Sequence, residues 1–261
     1  MLYEEERKQK IADYVQMNGR ASVQQLAQHF QVSESTVRRD LRDLEEEQFL
    51  RRTHGGAVAL QNDNIEPPFV EKEDRFQQQK LAIARAAAKL IQEGDTILLD
   101  SGTTTYHLAK LLKGFQQLTV VTNSVMVAQE LASQKNIELM LTGGTLRPET
   151  LAMVGPLAER AIESLHVDKA FIATNGIDPG IGLSTPNMIE AAVKNRMVHS
   201  AKQVILLADH SKYGRVSFAR VAPLSDIDHC IIDDGISVEA VNTIEATGVN
   251  VILAPNGGDS L

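Results

Sequence analysis

The sequence predicts an α/β protein in two parts, a small N-terminal unit and a larger domain built on a mostly parallel sheet. Residues 1–60 show three helical patterns and then a short hairpin pattern that ends at Gly55 and Gly56. From about residue 76, apolar runs typical of strands alternate with helical patterns, which predicts a parallel sheet covered on both faces. A polar stretch with Pro67 and Pro68 separates the two parts. We therefore expect domains over 1–60 and 76–261, joined by a linker over 61–75.

Composition and charge restrict the class of protein. No apolar run approaches the length of about eighteen residues that spans a membrane, and the acidic start without a secretion segment predicts a cytoplasmic protein. The net charge is −8, but residues 1–60 carry nine Lys or Arg and ten Asp or Glu, whereas the remainder carries 17 and 24. Because screening makes the local charge decisive, this balance neither excludes nor suggests a DNA partner. The single cysteine, Cys230, lies in an apolar run and is interpreted as a small buried hydrophobe.

Residues 22–47 show the pattern of a helix, a tight turn and a second helix. Ser22 and Gln25 form a capping-box pattern that predicts the start of the first helix. Gln31 and the next residue predict the turn, and Ser33 is placed to cap a second helix that extends to about Glu47. The spacing is typical of a helix-turn-helix.

The second helix sorts its residues onto three faces at about 100° per residue. One face is apolar and must be core, with Val37, Leu41 and Leu44. The opposite face is polar and basic, with Ser35, Arg38, Arg39 and Arg42, and a third sector is acidic, with Asp40, Asp43 and Glu47. A solvated helix gains from mixing its charges, whereas a recognition helix presents donors to phosphates and base edges. The pattern favours a recognition helix over the alternative of a solvated charge run.

The chain after this helix predicts a wing, which is two short strands around a tight turn over residues 51–58. Glycines at the turn permit positive φ and a close approach to a sugar-phosphate chain. The basic side chain of Arg52 and the imidazole of His54 come shortly before these glycines in the sequence. Both are therefore candidates for DNA contacts.

Residues 33–41, 44–45 and 52–57 together closely resemble the DNA-binding signature of the DeoR family of transcriptional regulators, which are mostly repressors of sugar-utilisation operons. The resemblance implies a winged helix-turn-helix with Ser35, Thr36, Arg38 and Arg39 near double-stranded operator DNA. The full set of predicted DNA-binding residues is Ser33, Ser35, Thr36, Arg38, Arg39, Arg42, Arg52, His54, Gly55 and Gly56.

The resemblance continues along most of the chain. Residues 99–105, 121–124, 142–147, 175–178 and 208–214 look like loops of the family's sensor domain. That domain is similar in fold to ribose-5-phosphate isomerase, which implies a phosphorylated sugar or related effector. The resemblance also places Asn175, Gly176 and Asp209 in the ligand site.

The residues themselves predict a phosphate site at the same place. A loop of small residues follows an apolar strand and opens a helix with Leu108, Leu111 and Leu112 on its apolar side. Its predicted ligand residues are Asp100, Ser101, Gly102, Thr103, Thr104 and Thr105. Free backbone N–H groups at a helix start bind anions, although such residues often serve only as a cap. Further strand ends carry Asn123, Gly143 and Gly144, and parallel strands bring such loops to one crevice.

Four charged residues complete the predicted site, and each has a structural alternative. Arg147 can grip a phosphate with two hydrogen bonds or can pair with Glu149. Lys212 follows an apolar strand and suits an anionic ligand, or it is a surface lysine. Glu190 and Lys194 are candidates too, although their spacing also fits a plain i,i+4 ion pair. Asp100 would accept from sugar hydroxyls or would cap its loop.

We predict a regulator without catalytic residues. The related isomerases carry catalytic carboxylates where this chain has Asn175, and an amide cannot ionise to transfer a proton. Glu190 leaves one candidate base, so a sugar-phosphate isomerase is one alternative, and a DNA-architectural protein with a degenerate sensor is another. The seven histidines show no metal-ligand spacing, and no dinucleotide fingerprint or Walker loop is present, so no metal or cofactor is expected. We expect a homodimer or tetramer in which the effector alters the spacing of two recognition helices.

Overall fold

The computed structural model describes residues 4–47, 49–53, 55–59 and 66–255. The chain divides into two compact units, Met1–Asn62 and Asp63–Leu261. The predicted α/β class is confirmed, with a helix-turn-helix in the first unit and a seven-stranded parallel sheet in the second.

The first unit is a helix-turn-helix with a small antiparallel sheet. Its elements are α1 (Glu4–Asn18), β1 (Arg20–Ser22), α2 (Val23–Phe30), α3 (Glu34–Glu46), β2 (Leu50–Thr53) and β3 (Gly56–Ala59), and the strand order is β1-β3-β2. The predicted capping box is present, since the Gln25 N–H donates to Ser22 Oγ at 3.1 Å and the Ser22 N–H to Gln25 Oε1 at 2.9 Å. Gln31 makes the turn with φ 54°, and Ser33 caps α3 by accepting from the Thr36 N–H.

The apolar face predicted for α3 packs into the core of this unit. Val37, Leu41 and Leu44 are buried together with Leu26 and Ile11. This packing turns the opposite, basic face of α3 to solvent.

The acidic sector predicted on α3 is wrong for Asp40, which is fully buried. The Arg7 guanidinium of α1 donates to both carboxylate oxygens, at 2.6 Å from Nε and 3.0 Å from Nη2. Asp43 pairs with Lys8 of α1 at 2.7 Å. These two acids therefore fasten α1 to α3, and they leave α3 with an exposed face that is more basic than its sequence suggests.

The second unit is built on a seven-stranded sheet in which every neighbouring pair of strands is parallel. Its strands are β4 (Thr96–Leu99), β5 (Leu118–Thr122), β6 (Ile137–Leu141), β9 (Val167–Ala173), β12 (Ala201–Ala208), β14 (His229–Asp233) and β15 (Asn250–Ala254), in the order β15-β14-β12-β9-β4-β5-β6. All seven strands coincide with predicted apolar runs. Hydrophobic clusters lie on both faces of the sheet, as expected for strands without polar alternation.

Helices and short antiparallel strands complete this unit. The helices are α4 (Phe69–Asp74), α5 (Gln77–Ala88), α6 (Thr103–Leu111), α7 (Val125–Leu131), α8 (Pro156–Glu163), α9 (Met188–His199) and α10 (Val238–Glu245). The hairpin β7 (Thr145–Arg147) with β8 (Ala152–Val154), and the small sheet of β10 (Gly176–Asp178), β11 (Gly182–Thr185) and β13 (Ala219–Ala222), were not expected from the sequence. Strands of three or four residues are too short for alternation to show. The Cys230 thiol is buried, and burial raises its pKa to about 12.

The structure differs from the linker predicted over 61–75 in the part that it describes. Residues 69–74 form α4, and its first residue, Phe69, is buried with its ring at 5.6 Å from that of Tyr106. The Phe69 N–H donates to the Glu149 carbonyl at 2.7 Å. The aromatic anchor makes this segment part of the second unit. Among the described residues, no helix is long and apolar enough to cross a membrane.

Candidate DNA-binding and effector sites

The exposed face of α3 brings together the predicted DNA-binding side chains. Ser35, Arg38, Arg39 and Arg42 are exposed. Arg38 reaches back to Glu34 at 3.0 Å, an i,i+4 pair with both side chains largely in water. Such a pair contributes little to stability, so Arg38 can exchange it for a phosphate or a base.

Hydroxyl groups and neighbouring acids shape the ends of this face. Ser33 Oγ lies 2.8 Å from both Ser35 Oγ and Thr36 Oγ1, so the three hydroxyls cluster at the helix start, where partial positive charge favours phosphate. A hydrogen bond from Lys8, together with the charges of Arg39 and Arg42, holds the pKa of Asp43 below its usual value. Asp43 is therefore an ionised neighbour whose main partner lies on α1.

The wing is a β-hairpin that is hydrogen-bonded to α2 and α3. Thr53 pairs with Gly56 in the β2-β3 ladder, and the Gly55 carbonyl accepts from the Val23 N–H at 2.9 Å. The Arg52 N–H donates to Glu45 Oε1 at 2.8 Å, and its guanidinium lies 3.8 Å from the same carboxylate. Arg52 is thus positioned by α3. His54, also predicted at this site, lies outside the described residues.

The role expected for the wing glycines requires a correction. Neither Gly55 nor Gly56 has a positive φ. Instead, a Cβ on Gly56 would lie 2.1 Å from the Ala21 carbonyl oxygen, because β1 passes directly beside it. Gly56 is therefore required by close approach to β1.

We expect Gly56→Ala to destabilise the first unit by about 1–3 kcal/mol, because β1 or β3 must move to admit the methyl group. The matched control is Gly55→Ala, since a Cβ there meets nothing within 4 Å. Urea unfolding, followed by circular dichroism, measures both variants. Equal stability of the two variants would show that the close approach of Gly56 to Ala21 does not require a glycine at position 56.

The effector site predicted from the sequence lies where parallel strands end. β12, β9, β4, β5 and β6 are consecutive neighbours, so their carboxyl ends share one edge of the sheet. That edge receives the loops that follow Leu99, Thr122, Leu141, Ala173 and Ala208. The structure thus brings the predicted loops to one edge of the sheet, and the space outside that edge is the usual ligand position in such sheets.

The start of α6 offers donors from two threonines but not from the third. The Thr105 hydroxyl accepts from the Gly102 N–H at 2.9 Å and lies 2.6 Å from the Asp100 carbonyl, so it is occupied by its own loop. Within the described part of the chain, the hydroxyls of Thr103 and Thr104 have no hydrogen bond to protein. Gly102 is required here, because a Cβ would lie 2.4 Å from that of Ala173.

Asp100 and Lys194 form a buried ion pair rather than two free ligand groups. The Asp100 carboxylate is fully buried and accepts from the N–H groups of Ser101 at 2.8 Å and Ala173 at 2.9 Å. Lys194 Nζ binds the same carboxylate and donates to the Ala173 carbonyl at 3.0 Å. This pair ties β4, β9 and α9 together. It corresponds to the loop-capping alternative for Asp100.

Glu190 does not pair with Lys194. Its carboxylate is buried, accepts a hydrogen bond from the Thr150 hydroxyl, and lies 3.2 Å from Arg147 Nε. Arg147 also lies 3.4 Å from Glu149, which is the ion pair given above as the alternative to phosphate binding. The buried Nε of Arg147 nevertheless lacks a hydrogen bond of acceptable geometry among the described residues.

The loops after β5 and β6 add an unsatisfied acceptor. Asn123 is buried, and its amide nitrogen donates to the Met153 carbonyl at 3.2 Å, whereas its Oδ1 has no partner in the described part of the protein. Gly143 and Gly144 have φ of 70° and 120°, and a Cβ on Gly144 would lie 2.5 Å from the Val154 carbonyl oxygen. These glycines let the β6 loop turn beside the β7-β8 hairpin.

On the other side of the edge, residues after β9 and β12 form a charged cluster. Asn175 donates to both carboxylate oxygens of Glu66, at 3.3 and 3.1 Å, and accepts from Thr185. Gly176 passes so close to Arg215 that a Cβ would lie 2.5 Å from its carbonyl oxygen. Asp178 accepts from the N–H groups of a turn, so its carboxylate serves the hairpin.

Lys212 and Asp209 face each other at 4.0 Å in this cluster. Burial lowers the pKa of Lys212, although Asp209 opposes this effect. Burial would raise the pKa of Asp209, but Lys212 and the Ser211 hydroxyl more than offset it, so the pKa is lowered. The lysine is only partly accessible, which disagrees with the surface-lysine alternative.

Sequence reasoning missed three residues of this cluster, namely Glu66, Lys72 and Lys80. The first two lie in the segment expected to be a linker, and no local pattern marks them. Lys80 is buried on α5 and donates to the carbonyls of Lys72 and Arg75. Burial lowers its pKa to about 8.

Comparison with known proteins identifies both units. The DeoR-like helix-turn-helix domain matches residues 7–63, and the DeoR C-terminal sensor domain matches residues 75–234. The chain is 42% identical to the transcriptional regulator YulB of Bacillus subtilis, over 96% of each chain. It is 41% identical to the transcriptional regulator GlpR of Haloferax volcanii, over 95% of this chain and 96% of that protein.

A further relative is the transcriptional repressor GlcR of Bacillus subtilis, 36% identical over 97% of each chain. Among solved structures, ribose 5-phosphate isomerase of Methanocaldococcus jannaschii is 17% identical, covers 51% of this chain and 53% of its own, and gives a TM-score of 0.37. The family and these sequence relatives are regulators of transcription and not enzymes. The chain belongs to the DeoR family of transcriptional regulators.

Proposed function

We propose that this protein is a repressor of a carbohydrate-utilisation operon and that a phosphorylated sugar or related metabolite modulates its operator binding. The observation that carries the effector part is the start of α6. There, within the described part of the chain, the hydroxyls of Thr103 and Thr104 have no hydrogen bond to protein, and they accompany the free N–H groups at the start of a nine-residue helix. Hydroxyls and backbone donors at a helix start favour an anionic group such as phosphate.

Two further groups support a sugar-type ligand at this edge of the sheet. Among the described residues, the buried Oδ1 atom of Asn123 has no donor, and the buried Nε of Arg147 lies 3.2 Å from Glu190 without a hydrogen bond of acceptable geometry. An unsatisfied buried polar atom costs about 1–3 kcal/mol, so each favours a ligand that supplies the missing partner. A sugar hydroxyl can do both, because it donates and accepts.

The cations of the crevice select for negative charge. Lys212 lies at the end of β12, next to the ends of β9 and β4, and its charge is only partly screened by solvent. Gly102, Gly144 and Gly176 let the loops approach neighbouring backbone or side chains, and Gly143 lets the β6 loop adopt a positive φ. Asp100, Lys194 and Glu190 hold α9 and the loops in place. Asp209 favours the charged form of Lys212, which it faces at 4.0 Å.

The DNA-binding part of the proposal assigns the exposed face of α3 to the major groove and the wing to the adjacent backbone. Arg38, Arg39 and Arg42 can reach bases or phosphates, while the hydroxyls of Ser33, Ser35 and Thr36 contact phosphate at the helix start. Arg52, His54 and the wing glycines contact the backbone. We propose a homo-oligomer, since two recognition helices about one helical turn of DNA apart would read a palindromic operator.

A thermal-shift screen of phosphorylated sugars tests the effector assignment. A ligand present at 100 times its Kd stabilises the protein by about 2.7 kcal/mol, so the correct compound raises Tm by several degrees. Each compound is compared with its unphosphorylated sugar, which should give no shift. Stabilisation by the neutral sugars alone would contradict an anion-binding crevice.

A further inference from the structure

A carboxylate from the chain itself lies among the cations of the proposed effector site. Glu66 is the first described residue of the second unit, and its side chain is only 4% exposed. Its carboxylate forms an ion pair with Lys72 and accepts two hydrogen bonds from the Asn175 amide. Asn175 follows β9 at the carboxyl edge of the sheet. The most buried anion contributed by residues 66–76 therefore points into the crevice.

The surroundings of Glu66 keep it ionised. Burial alone would raise the pKa of this carboxyl group. The charges of Lys72 and Lys194 and the hydrogen bond from Asn175 more than compensate, so the pKa is lowered. Glu66 also acts electrostatically on Lys212. The Glu66 carboxylate thus interacts electrostatically with three lysines, which come from α4, from α9 and from the turn after β12.

The segment that carries Glu66 is held on the unit by the rings of Phe69 and Phe76, by the ion pair of Glu73 with Lys110 and by contacts with α5. We call residues 66–76 the strap. Phe69 anchors it through its ring and its backbone N–H, and Lys80 holds it by donating to two of its carbonyls. The strap ends at Phe76, whose φ of 53° is a left-handed conformation that costs about 1 kcal/mol or more for a residue other than glycine. A short helix with a strained junction is a segment that a ligand can displace.

We propose that Glu66 is an internal counter-anion, and that the phosphate group of the effector takes its place beside Asn175, Lys72 and Lys212. This inference rests on the proposed effector site and adds how that site selects its ligand. Removing Glu66 without replacement would leave the partly buried Lys72 without the carboxylate that it pairs with, which is unfavourable. An anionic ligand can therefore exchange with Glu66, whereas a neutral sugar cannot.

The exchange also specifies which part of the chain responds. Glu66 follows Asn62, the last residue of the DNA-binding unit, by only four positions in the sequence. Release of the strap therefore changes the first described residues of the second unit.

Calorimetric titration of inorganic phosphate into the full-length protein tests the exchange. Glu66→Gln retains the shape of the side chain and one acceptor oxygen but removes the competing charge, so we expect phosphate to bind at least ten times more tightly than to the wild type. The control is Glu71→Gln, which changes an exposed residue of the strap that pairs with Arg75, and its affinity should equal that of the wild type. Unchanged or weaker binding by Glu66→Gln would overturn the proposal.

Hydrogen exchange on the wild type provides a measurement that does not depend on a variant. Saturation with phosphate should increase the exchange rate of the Phe69 amide, because its bond to the Glu149 carbonyl opens when the strap leaves. Unchanged or slower exchange at saturation would contradict displacement.

Lys212→Met separates this inference from the function on which it rests. If Lys212→Met weakens phosphate binding while Glu66→Gln does not strengthen it, the proposed effector site stands and the counter-anion is rejected. If phosphate binds neither the wild type nor Glu66→Gln, both are rejected. Tighter binding by Glu66→Gln that is again lost in the double variant with Lys212→Met supports both.

Discussion

Replacement of Arg38 and Arg39 together by alanine should weaken operator binding by about 2–6 kcal/mol, because each base-reading arginine contributes about 1–3 kcal/mol. Both side chains are exposed on the face of α3 opposite Val37, Leu41 and Leu44. Their removal should leave the fold intact, since the core contacts and the Asp40–Arg7 pair remain. The loss should therefore appear in DNA affinity and not in thermal stability.

A gel-shift titration at fixed salt measures this effect. Lys10→Ala, which removes an exposed charge from α1, is the control for the general electrostatic contribution and should change affinity far less. Wild-type affinity of the double arginine variant would remove α3 from the interface with DNA.

The largest expected effect on stability is that of Lys194→Met. The change leaves the fully buried Asp100 carboxylate without its cation, and breaking a buried pair in this way costs about 3–5 kcal/mol. Urea unfolding of the second unit provides the measurement. The double variant Asp100→Asn with Lys194→Met should recover part of the loss, because no uncompensated charge is then buried.

Lys202→Met is the matched control for this loss. Lys202 pairs with Asp168 at 2.8 Å, but its side chain is 73% exposed. Exposed pairs contribute about 0–1 kcal/mol, so this variant should remain close to the wild type. If Lys194→Met were as stable as Lys202→Met, the buried pair would not hold β4, β9 and α9 together.

Much of the fold follows from local patterns in the sequence. The capping residues Ser22 and Ser33 and the apolar face of α3 depend on interactions between residues a few positions apart, which a sequence displays directly. The inner strands of the large sheet are largely buried on both faces, so each contains a near-continuous apolar run, whereas the edge strands β6 and β15 are largely exposed. The convergence of the effector loops then follows from topology, because all the strands are parallel.

The features that the sequence did not reveal depend on distant partners. Periodicity placed Asp40 in an acidic sector, but its burial depends on Arg7, which is thirty-three positions away. Likewise, Lys194 lies one helical turn from Glu190 yet pairs with Asp100, which is 94 positions away. Glu66 and Asn175 are 109 positions apart, and nothing near Glu66 distinguishes it from a linker residue.

The response of operator binding to the effector in the Lys212→Met variant tests the central claim most directly. The sugar phosphate with the largest thermal shift is titrated into wild type, Lys212→Met and Lys202→Met, each bound to operator DNA. Loss of one charge-assisted contact costs about 1.5–3 kcal/mol, so Lys212→Met should need at least about ten times more effector for half-maximal change. Its operator affinity without effector should equal that of the wild type and of Lys202→Met. A half-maximal concentration identical to the wild type's would place the effector elsewhere and contradict the account.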